Sequence, residues 1–184
     1  MSHTAQQFDD IIFQCKDIFI KKEKDYGTSW RVLRTISVID QIYIKALRIR
    51  NLQELKTQKV ADDIPSEFIG IINYSVIGLI QLKLQPSIEP DMNSNDVERL
   101  YDEQILFAKN TMLSKNHDYG EAWRDMSQES FVDLILTKLL RMKSILHNEE
   151  KLLVSEGLDA NYVDILNYAV FAMILLHQNT KTKL

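Results

Sequence analysis

Two segments of the sequence place a lysine three residues before an arginine, Lys45 with Arg48 and Lys138 with Arg141. On a helix this spacing puts both side chains on one face. The planar guanidinium of arginine and the compact ammonium of lysine both bind phosphate groups in proteins. The same spacing also occurs in ion-pair networks between helices. The two pairs therefore predict either a site for a phosphate-bearing ligand or a structural charge network.

One acid stands inside an apolar segment, at Asp164 of NYVDILNY. An acid in the middle of an apolar helix costs free energy unless it is paired or binds a metal ion. Asp164 is therefore the strongest single candidate for a functional acid. The alternative interpretation is a buried ion pair with Lys138 or Arg141.

These residues belong to a sequence that contains an internal repeat. The motif Asp-Tyr-Gly-x-x-Trp occurs at 25–30 and again at 118–123, an offset of 93 residues. The offset continues along both copies and, after one inserted residue, becomes 94 in the third helix. The chain is therefore a tandem duplication of a unit of about 85 residues. In a duplicated protein, apolar core positions vary among different hydrophobic residues. Polar residues that are identical in both copies therefore require a separate explanation, either structural or functional. The kept polar pairs are Asp25/Asp118, Arg31/Arg124, Asp40/Asp133, Lys45/Lys138, Arg48/Arg141 and Asn73/Asn167.

The Asp-Tyr-Gly-x-x-Trp motif itself admits two interpretations. In the structural one, the glycine ends a helix, the aspartate makes local turn hydrogen bonds, and the tyrosine and tryptophan fill the core. In the functional one, the tryptophan beside an arginine, Trp30 with Arg31 and Trp123 with Arg124, forms a platform on which a base stacks. The sequence leaves both open.

Apolar residues recur with helical period along each unit, and no convincing alternation of period two is present. The pattern predicts helices at 5–23, 29–56 and 64–82 and at 97–116, 121–148 and 158–177, with breaks near Ser37 and Ser130. The predicted fold is all-α, with two tandem three-helix units packed as a pseudo-twofold helical bundle. We place the first unit at 1–85, a Pro- and Ser-containing linker at 86–96, and the second unit at 97–184.

The third helix is where the two copies disagree. The first copy has Glu67-x-x-Gly70, and the second has Asn161-x-x-Asp164. An acid is therefore present in each copy, but at positions one helical turn apart.

Bulk properties narrow the choice of function. The net charge of -4 gives no case for wrapping nucleic acid. The single cysteine excludes an internal disulfide and favours a reducing compartment. The two most apolar runs, 68–82 and 162–176, are shorter than the roughly 20 residues of a membrane span, and the N-terminus lacks the pattern of a signal peptide. We therefore expect a cytoplasmic protein with no membrane partner, and a homodimer of the whole chain is compatible with the sequence.

The order K/H-DYG-x-x-W-R, then D-x4-K-x-x-R, then D-x-x-N-Y resembles a small all-α family of phages and bacteria that is described as a nucleotide-modification-associated domain. A more distant likeness is to the MazG-type all-α nucleoside triphosphate pyrophosphohydrolases, whose paired acids bind Mg²⁺. That likeness implies Mg²⁺ held by Asp164 and Glu67, although Asn161-x-x-Asp164 keeps only the last acid of one motif and Glu67-x-x-Gly70 only its first.

The leading hypothesis is a nucleotide-handling protein that binds a nucleotide or another phosphate-bearing small molecule, with pyrophosphohydrolase activity as its enzymatic form. The candidate catalytic residues are Asp164 and Asp133. The better binding site is assigned to Lys138, Arg141, Arg124, Asp118, Tyr119, Trp123 and Asn167. A second, partly degraded site is assigned to Lys45, Arg48, Arg31, Asp40, Asp25 and Trp30. The alternative is a non-catalytic scaffold or partner-binding module whose charges lock the two units together.

Overall fold

A computed structural model describes residues 3–55, 63–89, 92–148 and 157–181 of the chain. Within these ranges the chain forms six α-helices and two short 3₁₀ helices, with no strand. The α-helices are α1 (His3–Tyr26), α2 (Thr35–Leu55), α3 (Ile64–Leu84), α4 (Ser94–Tyr119), α5 (Gln128–His147) and α6 (Leu158–Lys181). The 3₁₀ helices are Ser29–Val32, before α2, and Ala122–Asp125, before α5. The predicted all-α class is confirmed.

The glycine of each Asp-Tyr-Gly motif ends the first helix of its unit. Gly27 and Gly120 have φ angles of 60° and 63°, in the left-handed region that glycine adopts without the steric penalty of a Cβ. The N–H of Gly27 donates to the carbonyl of Glu23 at 2.7 Å, and that of Gly120 to Asn116 at 3.0 Å. The predicted helix stop is therefore present in both copies.

The breaks predicted near Ser37 and Ser130 lie slightly earlier in the chain. Each second helical stretch is divided into a 3₁₀ helix and an α-helix, and α5 begins at Gln128. Its N-cap is Ser127, whose side chain accepts from the N–H of Ser130 at 3.2 Å. The new helix is therefore capped by Ser127, three residues before Ser130.

Helices α3 and α6 form the centre of the fold. They pack against each other, and each also contacts three of the outer helices. Both have the length and composition of a membrane span, but 67% of each apolar window is buried inside the fold. Such burial is typical of core helices. The helices have 21 and 24 residues, so they are longer than the apolar runs 68–82 and 162–176 from which the sequence argued against a membrane span.

The first helices of the two units are joined by reciprocal ion pairs. Lys16 on α1 lies 2.8 Å from Asp102 on α4, and Lys109 on α4 lies 2.6 Å from Asp9 on α1. Lys16 and Lys109 are equivalent at the offset of 93, and so are Asp9 and Asp102. A contact in which residue i meets j and j meets i is what twofold symmetry produces.

The second helices repeat this arrangement. Asp40 on α2 pairs with Lys143 on α5 at 2.7 Å, and Asp133 on α5 lies 3.4 Å from Arg50 on α2. The reciprocity fits a pseudo-twofold relation between the units. It also gives the kept acids Asp40 and Asp133 a structural role at the seam between the units.

The kept asparagines hold the third helix to the first within each unit. The amide of Asn73 donates to the carbonyl of Cys15 at 3.0 Å, and that of Asn167 to Ala108 at 3.1 Å. Both side chains are buried. Asn167, predicted to bind substrate, therefore has an internal partner.

Candidate functional site

A cavity of about 560 Å³ lies in the first unit, between α1, the 3₁₀ helix Ser29–Val32, α2 and α3. We call it the first-unit cleft. The polar and aromatic side chains that line it include Lys22, Glu23, Tyr26, Trp30, Gln41, Lys45 and Glu67, together with the backbone position Gly70. The volume is within the range of about 300–1,000 Å³ that is usual for small-molecule pockets.

Two aromatic side chains of the first motif line one side of this cleft. Helix α1 ends at Tyr26, whose side chain is 70% exposed, and the chain then turns so that half-buried Trp30 lies 6.4 Å from Phe19, centroid to centroid. In the second copy Tyr119 is 74% exposed. The structural interpretation of the motif expected the tyrosines to fill the core. This expectation is wrong, because both tyrosines are exposed.

Helices α2 and α3 contribute Lys45 and a buried carboxylate to the cleft. The ammonium of Lys45 donates to Glu67 at 3.1 Å, and the guanidinium of Arg48 donates to the other oxygen of the same carboxylate. Because Glu67 is buried and accepts from two cations, the Lys-x-x-Arg pair of the first unit forms an ion-pair network. Lys45 still lines the cleft, whereas Arg48 lies outside the lining.

The side chain of Lys45 passes directly over Gly70. A Cβ atom at position 70 would lie 2.7 Å from Cε and 3.1 Å from Nζ of Lys45. The lack of a side chain at Gly70 therefore gives Lys45 its path and keeps this part of the cleft open.

The corresponding region of the second unit is closed by its own side chains. Asp164 accepts from Lys115 at 2.5 Å and from Lys138 at 2.8 Å. The ion pair with Lys138, given above as the alternative interpretation of Asp164, is present. Trp123 is buried and stacks on Phe171 at 4.2 Å with an interplanar angle of 4°. We call this group the second-unit junction.

The predicted metal ligands do not fit Mg²⁺. This cation takes carboxylate oxygens whose charge is available to it, but Glu67 and Asp164 each accept from two cationic side chains. Within the described ranges, no group of three or more acidic, histidine or cysteine side chains could hold a metal ion. We therefore derive no step through a metal ion.

The kept arginines of the two motifs are engaged in packing. Arg31 is buried, and its guanidinium donates to the side chain of Gln81 and, at 2.7 Å, to the carbonyl of Gln85. It therefore fixes the turn against the end of α3. Arg31 does not line the first-unit cleft.

Arg124 joins the second unit to α1 of the first. Its guanidinium donates to the Thr4 hydroxyl at 2.6 Å and to the Gln7 amide oxygen at 2.9 Å. The same group lies 4.3 Å above the ring of Trp123. The predicted aromatic–arginine platform exists here, but it is occupied by partners from the same chain.

Two segments of the chain, 22–82 and 115–176, match the family described as nucleotide modification associated domain 1. Together they cover more than half of the chain. The protein belongs to this family. The match in two segments agrees with the tandem duplication. Comparison with curated proteins and with solved structures found no match.

In this nucleotide-modification-associated protein, the matched segments begin at Lys22 and Lys115. Sequence reasoning did not place either lysine in a site, yet Lys22 lines the first-unit cleft and Lys115 binds Asp164. The signal was present, because the two lysines are equivalent at the offset of 93. Gln41, also in the cleft, was missed because leucine replaces it in the second copy.

Several predicted residues of this family member lie apart from the cleft. Asp25, Asp118 and Arg141 are exposed, and Asp118 contacts the neighbouring His117 ring at 3.0 Å. Of the predicted site residues, Trp30, Lys45 and Glu67 come together in the first-unit cleft. Asp164, Lys138 and Trp123 lie in the second-unit junction.

Proposed function

We propose that the protein binds a nucleotide, or a related phosphate-bearing small molecule, in the first-unit cleft. The observation that carries this proposal is the juxtaposition in one cavity of two aromatic side chains, Tyr26 and Trp30, with two lysines, Lys22 and Lys45. The description of the family, which concerns nucleotide modification, supports a nucleotide as the ligand.

Each part of the cleft has a role in this proposal. A base stacks on the Tyr26 and Trp30 side, where an aromatic contact contributes about 1–3 kcal/mol per base. The phosphate lies toward Lys22 and Lys45, whose ammonium groups donate to its oxygens. The amide of Gln41 lines the same cavity and offers both a donor and an acceptor to a base edge.

We include binding and no hydrolytic step. Pyrophosphate hydrolysis by the MazG-type route needs acids that hold Mg²⁺ against the substrate. The acids of this chain that the likeness assigns to Mg²⁺, Glu67 and Asp164, are each neutralised by two cations. Both are therefore assigned to ion pairs.

The second candidate function is a helical scaffold. The observation that favours it is the number of kept polar residues with partners inside the fold, among them Asp40, Asp133 and Arg124. A scaffold explains these residues without a ligand. It does not explain why Tyr26, Trp30, Lys22 and Lys45 surround one cavity.

The experiment is a calorimetric titration of the four deoxynucleoside monophosphates and triphosphates into the purified chain. The matched variants are Tyr26→Ala and Tyr119→Ala, since both tyrosines are exposed at equivalent positions and neither loss should unfold the protein. We expect one of these nucleotides to bind, with affinity at least tenfold weaker in Tyr26→Ala and unchanged in Tyr119→Ala.

A second matched pair tests the phosphate end. Lys22→Ala removes a lysine that lines the cleft. Lys21→Ala is the control, because the exposed Lys21 does not line the cleft and pairs with Asp17 at 2.7 Å. Only Lys22→Ala should weaken binding. If no nucleotide binds the wild-type chain, the scaffold is the better account. If a nucleotide binds and all four variants bind it as the wild type does, the ligand does not lie in the first-unit cleft.

A further inference from the structure

The two units place different groups at one equivalent position on their third helices. In the second unit this position is Asp164, whose carboxylate lies between the ammonium groups of Lys115 and Lys138. In the first unit the equivalent lysines are Lys22 and Lys45, which line the first-unit cleft, and the equivalent of Asp164 is Gly70.

The geometry at Gly70 supports this equivalence. A Cβ built on Gly70 would lie 3.1 Å from the Lys45 ammonium, so a side chain there would meet Lys45 as Asp164 meets Lys138. Glu67, one turn earlier on α3, pairs with Lys45 at 3.1 Å. Lys22 makes no ion pair with a carboxylate in the described part of the chain. Gly70 therefore has the Lys45 side chain beside it and no side chain of its own, and Lys22 lines the same cavity.

The surroundings of the tryptophan also differ between the units, and again the second unit has the larger side chain. In the second unit Phe171 stacks on Trp123 with parallel rings at 4.2 Å. In the first unit Ile77 stands at the equivalent position and lines the first-unit cleft, and Trp30 is only half-buried. The ring of Phe171 thus covers in one unit the aromatic surface that the other unit leaves toward its cavity.

We propose that Asp164 and Phe171 are built-in substitutes for the ligand: the Asp164 carboxylate takes the place of its phosphate, and the Phe171 ring the place of its base. This inference rests on the proposed function and adds the position of the ligand. The phosphate lies over Gly70 between Lys22 and Lys45, and the base lies against Trp30. The chain accordingly has one site, in the first unit, and the second-unit junction is a copy of it that is permanently filled.

The test transfers the two residues between the units. The double variant Asp164→Gly, Phe171→Ile gives the second unit the residues of the first, and Gly70→Asp gives the first unit the acid of the second. The probes are inorganic pyrophosphate and the nucleotide panel, without added metal, and the readouts are calorimetric stoichiometry and melting temperature.

We expect the wild-type chain to bind one nucleotide, the double variant to bind two, and Gly70→Asp to bind none while remaining folded. Asp164→Gly alone removes the carboxylate that Lys115 and Lys138 share. Its melting temperature should fall and should then rise by several degrees more with 10 mM pyrophosphate than that of the wild type. The matched control is Asp133→Gly, which removes an exposed helical acid at the seam and should show no such recovery.

The outcomes separate this inference from the proposed function. A wild type that binds one nucleotide and a double variant that also binds one would overturn the inference and leave the function. A wild type that binds none, together with pyrophosphate recovery in Asp164→Gly, would overturn the function and leave the anion position. Wild-type affinity in Gly70→Asp would contradict the placement of the phosphate over Gly70.

Discussion

The clearest stability prediction concerns Glu67, which is the hub of the charge network in the first unit. Its side chain is 7% exposed and accepts from Lys45 and Arg48. Glu67→Gln keeps the shape of the side chain and removes its charge. Both cations then face a neutral amide, so we expect the free energy of unfolding to fall.

The magnitude follows from the exposure of the partners. Removing one member of a buried ion pair costs about 3–5 kcal/mol. Here the side chains of Lys45 and Arg48 are 27% and 23% exposed, so water partly replaces the lost acceptor, and the amide oxygen of glutamine still accepts one hydrogen bond. We therefore expect a loss of about 2 kcal/mol, which is roughly a 30-fold change in the folding equilibrium.

The assay is urea denaturation monitored by circular dichroism. The unfolding free energies of variant and wild type are compared, provided that the slope of free energy against urea concentration is the same for both. The matched control is Glu54→Gln, because Glu54 is 63% exposed and pairs with Arg50 along the surface of α2. Its cost should be under about 0.5 kcal/mol. If Glu67→Gln costs no more than Glu54→Gln, the network is not a stabilising element, and the assignment of Glu67 to structure is wrong.

The remaining predictions concern a thiol, a helix stop and the seam between the units. Burial raises the pKa of Cys15 to about 12, so a thiol reagent at pH 8 should modify it only as fast as the chain unfolds; rapid modification of the native protein would contradict its burial. Gly120→Ala forces a Cβ into φ of 63° with no atom nearby to clash, so urea denaturation should show a loss of about 1–2 kcal/mol from backbone strain alone. Hydrogen bonds from the Thr4 hydroxyl, which has the larger effect, and from the Arg124 guanidinium lower the pKa of Glu121. Because the pKa of Glu121 is lower in the folded state, its carboxylate stabilises the fold at pH values above its ordinary pKa of 4.5, and this stabilisation is lost as the pH falls. The melting temperature of Glu121→Gln should therefore depend less on pH in the acid range than that of the wild type.

The helical class was predictable because it depends on local signals that occur twice. The apolar spacing of Phe8, Ile11, Ile12 and Cys15 has the helical period, and these residues are buried on α1 as that period requires. The glycine stop at Gly27 was equally local. Duplication strengthened both signals, since each occurs in two independent copies.

The partners of the kept charges were not predictable in the same way. Nothing near Asp40 in the sequence indicates that it meets Lys143, because that contact depends on how α2 packs against α5. Sequence reasoning favoured the second unit because Asp164 is an unusual acid in an apolar helix. The structure explains the acid by Lys115 and Lys138, and it places a cavity lined by Gly70 in the first unit.

The measurement that tests the central claim most directly uses the two tryptophans of the chain, one in each unit. The indole N–H signals of Trp30 and Trp123 are separate probes in an NMR titration with the nucleotide panel, assigned by Trp30→Phe and Trp123→Phe. Binding in the first-unit cleft predicts that the Trp30 signal moves with saturating nucleotide and that the Trp123 signal, stacked on Phe171, stays in place. Movement of Trp123 alone, or of neither signal, would contradict a nucleotide site in the first unit.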